Sequence, residues 1–188
     1  MIDQTKLLSA PNPPSQLSKA GVRKYVETTL DNGVVYKGEM MGPKRDGYGE
    51  NTWRNGDTYK GEWKNDEQYG WGTNHWADGS EYIGTYISNR KDGVGEYKWE
   101  DGSMYVGEWK DNQMHGIGEY RWVDGRSYMG EWESGLMSGF GQFRWANEKV
   151  YEGNWLKGKK HGEGTMTTPD GARSVDVWNM GKVQTHKA

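Results

Sequence analysis

His115 and His161 are of a type suited to acid–base or metal chemistry, and they share one position of a strict repeat. Its period is set by Tyr36, Tyr59, Tyr82, Tyr105, Tyr128 and Tyr151, 23 residues apart each time without insertion or deletion. Glycine follows two residues after each tyrosine, at Gly38, Gly61, Gly84, Gly107, Gly130 and Gly153. A residue that recurs once per repeat is first a structural residue, so the two histidines are expected to be loop residues; His75 and His186 complete the set of four. Glu39, Glu62, Glu108 and Glu131 also occupy one repeat column, as expected of a solvated charged face. The Gly-x-Gly pairs precede a strand rather than a helix, so they are not a dinucleotide fingerprint. No cysteine is present, which excludes thiolate chemistry, disulfides and Cys-ligated metals. No nucleophile–base pairing stands out. The expectation is a non-enzymatic chain with no catalytic residue, metal or cofactor.

The elements that carry these columns are strands. In the unit Tyr105–Ser127, Tyr105, Gly107 and Trp109 alternate, as do Gly118, Tyr120 and Trp122. Residues 111–115 read as a loop, and Asp124-Gly125 closes the return turn. Antiparallel pairing through that loop is expected to set Trp109 opposite Gly118, Gly107 opposite Tyr120 and Tyr105 opposite Trp122, each ring beside a glycine. The expected fold class is all-β: an elongated, single-layer, twisted antiparallel sheet of stacked β-hairpins. Residues 1–20, with Pro11, Pro13 and Pro14, read as a flexible arm in which Leu7 and Leu8 are the docking-capable residues. Residues 21–35 form a half-repeat cap, 36–173 hold six repeats, and 174–188 form a C-terminal partial repeat and tail.

The 188 residues include 29 Gly, 11 Trp and 12 Tyr, but hydrophobic residues make up only 32%, which suits a thin sheet better than an aliphatic core. A net charge of −3 gives no footprint for nucleic acid. The start, MIDQTKLLSAPNPP, lacks the apolar run of a signal peptide and, with Asp3 and little Arg, the features of a transit peptide. A soluble intracellular protein is expected.

The pattern Tyr-x-Gly-x-Trp, then Gly-x-Gly, then Asp-Gly, resembles the MORN repeat (membrane occupation and recognition nexus). It reads YKGEWKNDEQYGWG from Tyr59, YVGEWKDNQMHGIG from Tyr105 and YEGNWLKGKKHGEG from Tyr151. The resemblance implies a scaffold or binding module of the cytoplasm and cytoskeleton, most of all in a cilium or flagellum (axoneme). In other relatives the repeats are appended to a kinase or methyltransferase domain, and no such domain is visible here. Departures from the pattern are Met40 and Tyr86 where Trp is usual, and Asn51 and Asn74 in an aromatic column, which should make that end of the face more polar. Asn147-Glu148 replaces Asp-Gly and should give its return turn a different geometry.

The partners expected are other proteins, offering a helical or extended segment, with the oligomeric state not legible. The main groove is expected on the aromatic face of the middle units, at Tyr97, Trp99, Tyr120, Trp122, Phe143 and Trp145. The alternative partner face holds two apolar columns: Ile83, Val106 and Met129, and Val94, Ile117 and Phe140. Glu108 and Glu119, set across from each other by the expected pairing, would join Glu96 and Glu131 in an acidic stripe on that face. Membrane binding is the secondary reading, through a basic end at Lys157, Lys159, Lys160 and Arg173.

Overall fold

The computed structural model describes residues 22–187; the arm expected over 1–20, Leu7 and Leu8 included, lies outside them. The described residues form fifteen strands and no helix, and they fall into two compact units that divide between Glu100 and Asp101. The first unit holds β1 (Lys24–Thr29), β2 (Val35–Met41), β3 (Lys44–Thr52), β4 (Thr58–Lys64), β5 (Glu67–His75), β6 (Glu81–Ile87) and β7 (Arg90–Lys98). The second holds β8 (Met104–Lys110), β9 (Gln113–Arg121), β10 (Ser127–Glu133), β11 (Leu136–Arg144), β12 (Val150–Leu156), β13 (Lys159–Thr167), β14 (Arg173–Asn179) and β15 (Lys182–Lys187). Within each unit every strand pairs antiparallel with its chain neighbours, so each is a run of hairpins, as the repeat pattern implies.

The register differs from the expected one by two residues at Tyr105 and Gly107 and by four at Trp109. Tyr105 pairs with Tyr120, Gly107 with Gly118 and Trp109 with Met114. The reason is steric. The Tyr105 ring lies across the Gly107–Gly118 pair, where a Cβ built on Gly118 would stand 2.3 Å from the tyrosine oxygen. The expected pairing would have put the Cβ of Tyr120 into that space. The loop is also shorter than expected. Only Asp111 and Asn112 turn, with φ of 48° and 68°, and Gln113, Met114 and His115 already belong to β9. Two positive φ values in succession define the type I′ hairpin turn that suits the strand twist. Between Gly107 and Glu108 the register shifts, forming a β-bulge, and the same irregularity follows Gly38, Gly61, Gly84, Gly130 and Gly153.

In each unit the core lies on one face of its strands. Tyr36, Tyr59, Tyr82, Tyr105, Tyr128 and Tyr151 are each 0% exposed. Each hydroxyl donates to the backbone carbonyl three residues on, as Tyr105 does to Glu108 at 2.9 Å. Tryptophans close the ring from both sides: Trp109 and Trp132 meet Tyr105 edge-on at 5.2 and 5.5 Å between centroids. Edge-to-face contact places the positive ring edge on the negative ring face. The indole N–H of Trp63, Trp132 and Trp155 donates to the carbonyl of Gly49, Gly118 and Gly141. Aromatic rings over glycine thus do in one layer what aliphatic packing does between two.

Two further expectations are corrected. Asn147-Glu148 turns like its neighbours: Trp145 and Lys149, and Glu148 and Trp145, make the backbone bonds that Trp122, Gly125 and Arg126 make. Glu148 meets that geometry by taking φ = 65°, where Gly125 has 87°. Asn51 and Asn74 do not make the surface more polar, because they are buried, at 1% and 7% exposure. Asn74 accepts from Gln68, and the Asn51 Oδ1 has no hydrogen-bond partner.

Candidate protein-binding faces

On the aromatic face, Tyr97 and Trp99 belong to the first unit and the remaining four expected site residues to the second. Tyr97 contacts Trp99 at 4.6 Å and Trp76 at 5.3 Å between ring centroids. In the second unit Tyr120, Trp122, Phe143 and Trp145 form a continuous ladder, with steps of 4.5, 5.4 and 4.7 Å. These rings are largely engaged within the fold. Phe143 is only 8% exposed and rests 6.0 Å from Trp155. The Tyr97 and Tyr120 hydroxyls reach the buried hydroxyls of Ser80 and Ser103.

Cations occupy the same face, a feature the sequence reading missed. Lys91 stands 5.7, 5.4 and 4.3 Å from the rings of Trp76, Tyr82 and Tyr97. Lys160 stands 4.9, 4.9 and 4.0 Å from Trp145, Tyr151 and Trp178. Arg45 covers Trp63 and Arg126 covers Trp122. Burial pushes the Lys91 ammonium down to about 8. Burial, then the nearby Lys149, lowers Lys160 as well, while Asp176 opposes the shift. Ring faces attract the charged form, which retains ammonium groups where desolvation alone would expel them. Arg45, Lys91 and Lys160 share one repeat column, and its other members are Gln68, Met114 and Met137. The signal was therefore present as long, flexible side chains at one spacing.

The basic end is dispersed. Lys160 is turned under the rings, whereas Lys157 and Lys159 are exposed at the hairpin tip. Arg173 pairs with Thr167 at the far end of β13, eight steps from Lys159 or roughly 26 Å along the strand.

The glutamate column is a backbone clasp. Glu39, Glu62, Glu108 and Glu131 accept the N–H of Tyr48, Trp71, Ile117 and Phe140 at 2.7, 3.0, 3.0 and 2.8 Å. Each closes the strand that its bulge opens. In the third repeat Thr85 takes over by accepting from Val94, and in the sixth Asn154 donates instead, to the Glu163 carbonyl. Glu108 and Glu119 are accordingly not opposite: Glu108 pairs with His115, and Glu119 with Val106 and Met129. The bulge displaces the register on one side of Gly107, which the strict alternation of the sequence did not disclose.

On this second face Ile83, Val94 and Val106 are half-buried, while Ile117, Met129 and Phe140 are 40%, 43% and 53% exposed. Among the described residues no group of His, Asp and Glu is arranged to hold a metal, and no helix is long and apolar enough to cross a membrane.

These features define an all-β repeat protein whose recurring columns are consumed by its own fold and whose remaining side chains form faces for contact. Six copies of the MORN repeat match, at residues 36–58, 59–81, 82–104, 105–125, 128–150 and 151–173. The chain belongs to the MORN-repeat family. No curated protein matches it. Among solved structures it is similar to the TCP domain of SAS-4 (dCPAP) of Drosophila melanogaster in complex with a proline-rich motif of Ana2 (dSTIL). That likeness has 11% identity and a TM-score of 0.41, over 94% of this chain and 98% of that one. It is also similar to the wild-type TCP10 domain of Danio rerio CPAP, with 17% identity and a TM-score of 0.37 over 92% of each chain.

Proposed function

We propose that this protein is a non-enzymatic scaffold that binds other proteins along its sheet, within a cytoskeletal assembly of a cilium or flagellum. One observation carries the binding role. A sheet with no second layer leaves Ile117, Met129 and Phe140 more than a third exposed on one face of the second unit, and exposed apolar surface marks contact sites. The cytoskeletal setting follows from family membership alone. Affinity purification of the tagged chain from ciliated cells, with imaging of the same tag, is the test. Co-purified axonemal proteins and ciliary signal are expected; a diffuse signal with no retained protein overturns the reading. Peripheral membrane binding, the secondary reading, is weakened by the dispersal of Lys160 and Arg173. Pelleting with anionic vesicles that is lost in a Lys157→Ser/Lys159→Ser variant would restore it.

A further inference from the structure

The second unit carries two cross-strand rows on the face opposite its tyrosines. In one, Ile117 pairs with Glu131; the Ile117 N–H donates to the Glu108 carboxylate and the Phe140 N–H to the Glu131 carboxylate. The order across the strands is therefore Glu108, Ile117, Glu131, Phe140. In the next row, Val106, Glu119, Met129, Gln142 and Glu152 are paired in sequence. Carboxylate and apolar side chains alternate along the first row and over Val106, Glu119 and Met129 of the second, offset between the rows, giving a chequered surface that Gln142 and Glu152 do not continue. Glu119 is held by two of the guanidinium nitrogens of Arg121, each at 2.8 Å. Glu108 and Glu131 each spend one oxygen on a backbone N–H, and both are exposed. Basic residues stand at the strand ends, with Lys110 at one end and Arg121 and Arg144 at the other.

We infer that this chequered face of the second unit is the docking surface for a basic amphipathic helix of a partner protein, an inference that rests on the scaffold reading. Charge complementarity selects the partner. Carboxylates already immobilised by backbone bonds lose little side-chain freedom when a Lys or Arg arrives. The apolar groups between them take up leucine-like side chains. Spacing selects the helix. Ile117 and Phe140 lie on strands two apart, about 9.6 Å, close to the rise of one heptad, about 10.5 Å. A helix crossing the strands can seat one apolar residue per repeat and place basic residues over the intervening carboxylates.

The test uses the full chain and a fluorescein-labelled three-heptad peptide, with one leucine per heptad on one face flanked by lysines, and its glutamate counterpart. Anisotropy titrations should show salt-dependent binding of the lysine peptide and none of the glutamate peptide. Ile117→Ser/Phe140→Ser should weaken binding at least about tenfold. Glu108→Gln/Glu131→Gln keeps an acceptor for each N–H, so circular dichroism and melting should stay unchanged while affinity and its salt dependence both fall. Failure of the unaltered chain to bind, wild-type binding by both variants, or loss produced instead by Trp145→Ser overturns the inference. Affinity capture with the Ile117→Ser/Phe140→Ser chain separates the two readings. Partners retained equally by it and the unaltered chain leave the scaffold standing and remove this face. No partner retained by the unaltered chain removes both.

Discussion

The two units share one packing scheme and differ on the face that the scheme leaves free. In the first unit, the row equivalent to Val106–Glu152 reads Lys37, Glu50, Lys60, Thr73 and Ile83, so Glu50 sits between two lysines. In the second, Glu119 sits between Val106 and Met129. Opposite charges paired across strands satisfy one another, whereas Glu119 is paired with Arg121 of its own strand and leaves its apolar cross-strand neighbours, Val106 and Met129, for a visitor. The aromatic face differs too. The first unit buries Asn51 and Asn74 where the second has Tyr120 and Phe143, and it has Tyr86 where the second has Trp132 and Trp155. Columns that never vary belong to the fold, and columns that do vary set the character of each unit.

The largest effect expected tests what the units share. Burial raises the hydroxyls of Tyr36, Tyr59, Tyr105 and Tyr128 above their usual value, and Tyr151 to about 12. An unfolded tyrosine ionises near pH 10, so between that value and the folded one the folded chain binds more protons. Stability from these groups is complete below about pH 10 and is lost above it. Urea unfolding at a series of pH values should show a plateau, then a fall beyond about pH 10 in both units; a plateau extending well above that would mean the rings ionise in place. Next in size, Trp132→Ala removes the ring that closes both Tyr105 and Tyr128 and should cost about 4 kcal/mol, read from urea unfolding by circular dichroism.

Tyr86→Trp should make the first unit more like the second. The Tyr86 hydroxyl is buried without a partner, where an indole would reach a glycine carbonyl, so a gain of about 1 kcal/mol is expected. An equal gain in Tyr86→Phe would assign the penalty to the buried hydroxyl rather than to the missing bond. The smallest effect concerns Glu148→Gly, which relieves a left-handed residue at its turn. Relief of about 1 kcal/mol of strain, offset by glycine's greater unfolded entropy, leaves a gain near 0.5 kcal/mol in melting measurements.

The period and the tyrosine–glycine spacing were enough to read strands, hairpins and the all-β class. They were not enough for register, because the sequence shows which residues alternate but not that one ring must lie over two glycines at once. The bulge was hidden for a related reason. Glu108 looks solvated as a member of a charge column, and only its bond to Ile117 shows it closing a strand. Of the expected aromatic site, Tyr120 to Trp145 proved adjacent, yet how much of each ring the fold itself covers depends on Trp132 and Trp155 arriving from neighbouring hairpins. Lys160 was read as surface charge because a lysine's destination is invisible until the rings around it have positions.

The tyrosine laid across paired glycines behaves as an indexing pin. Hairpins are usually kept in step by the length of their turns, so an inserted residue risks sliding one strand past the other. Here the step is fixed inside the sheet, by a ring that fits one socket and collides with any side chain placed there. The turn that joins the two pinned strands is thereby freed from that duty. Asp111 and Asn112, both exposed between β8 and β9, mark a place where foreign sequence could be written into the chain with the strands on either side still meeting in their proper order.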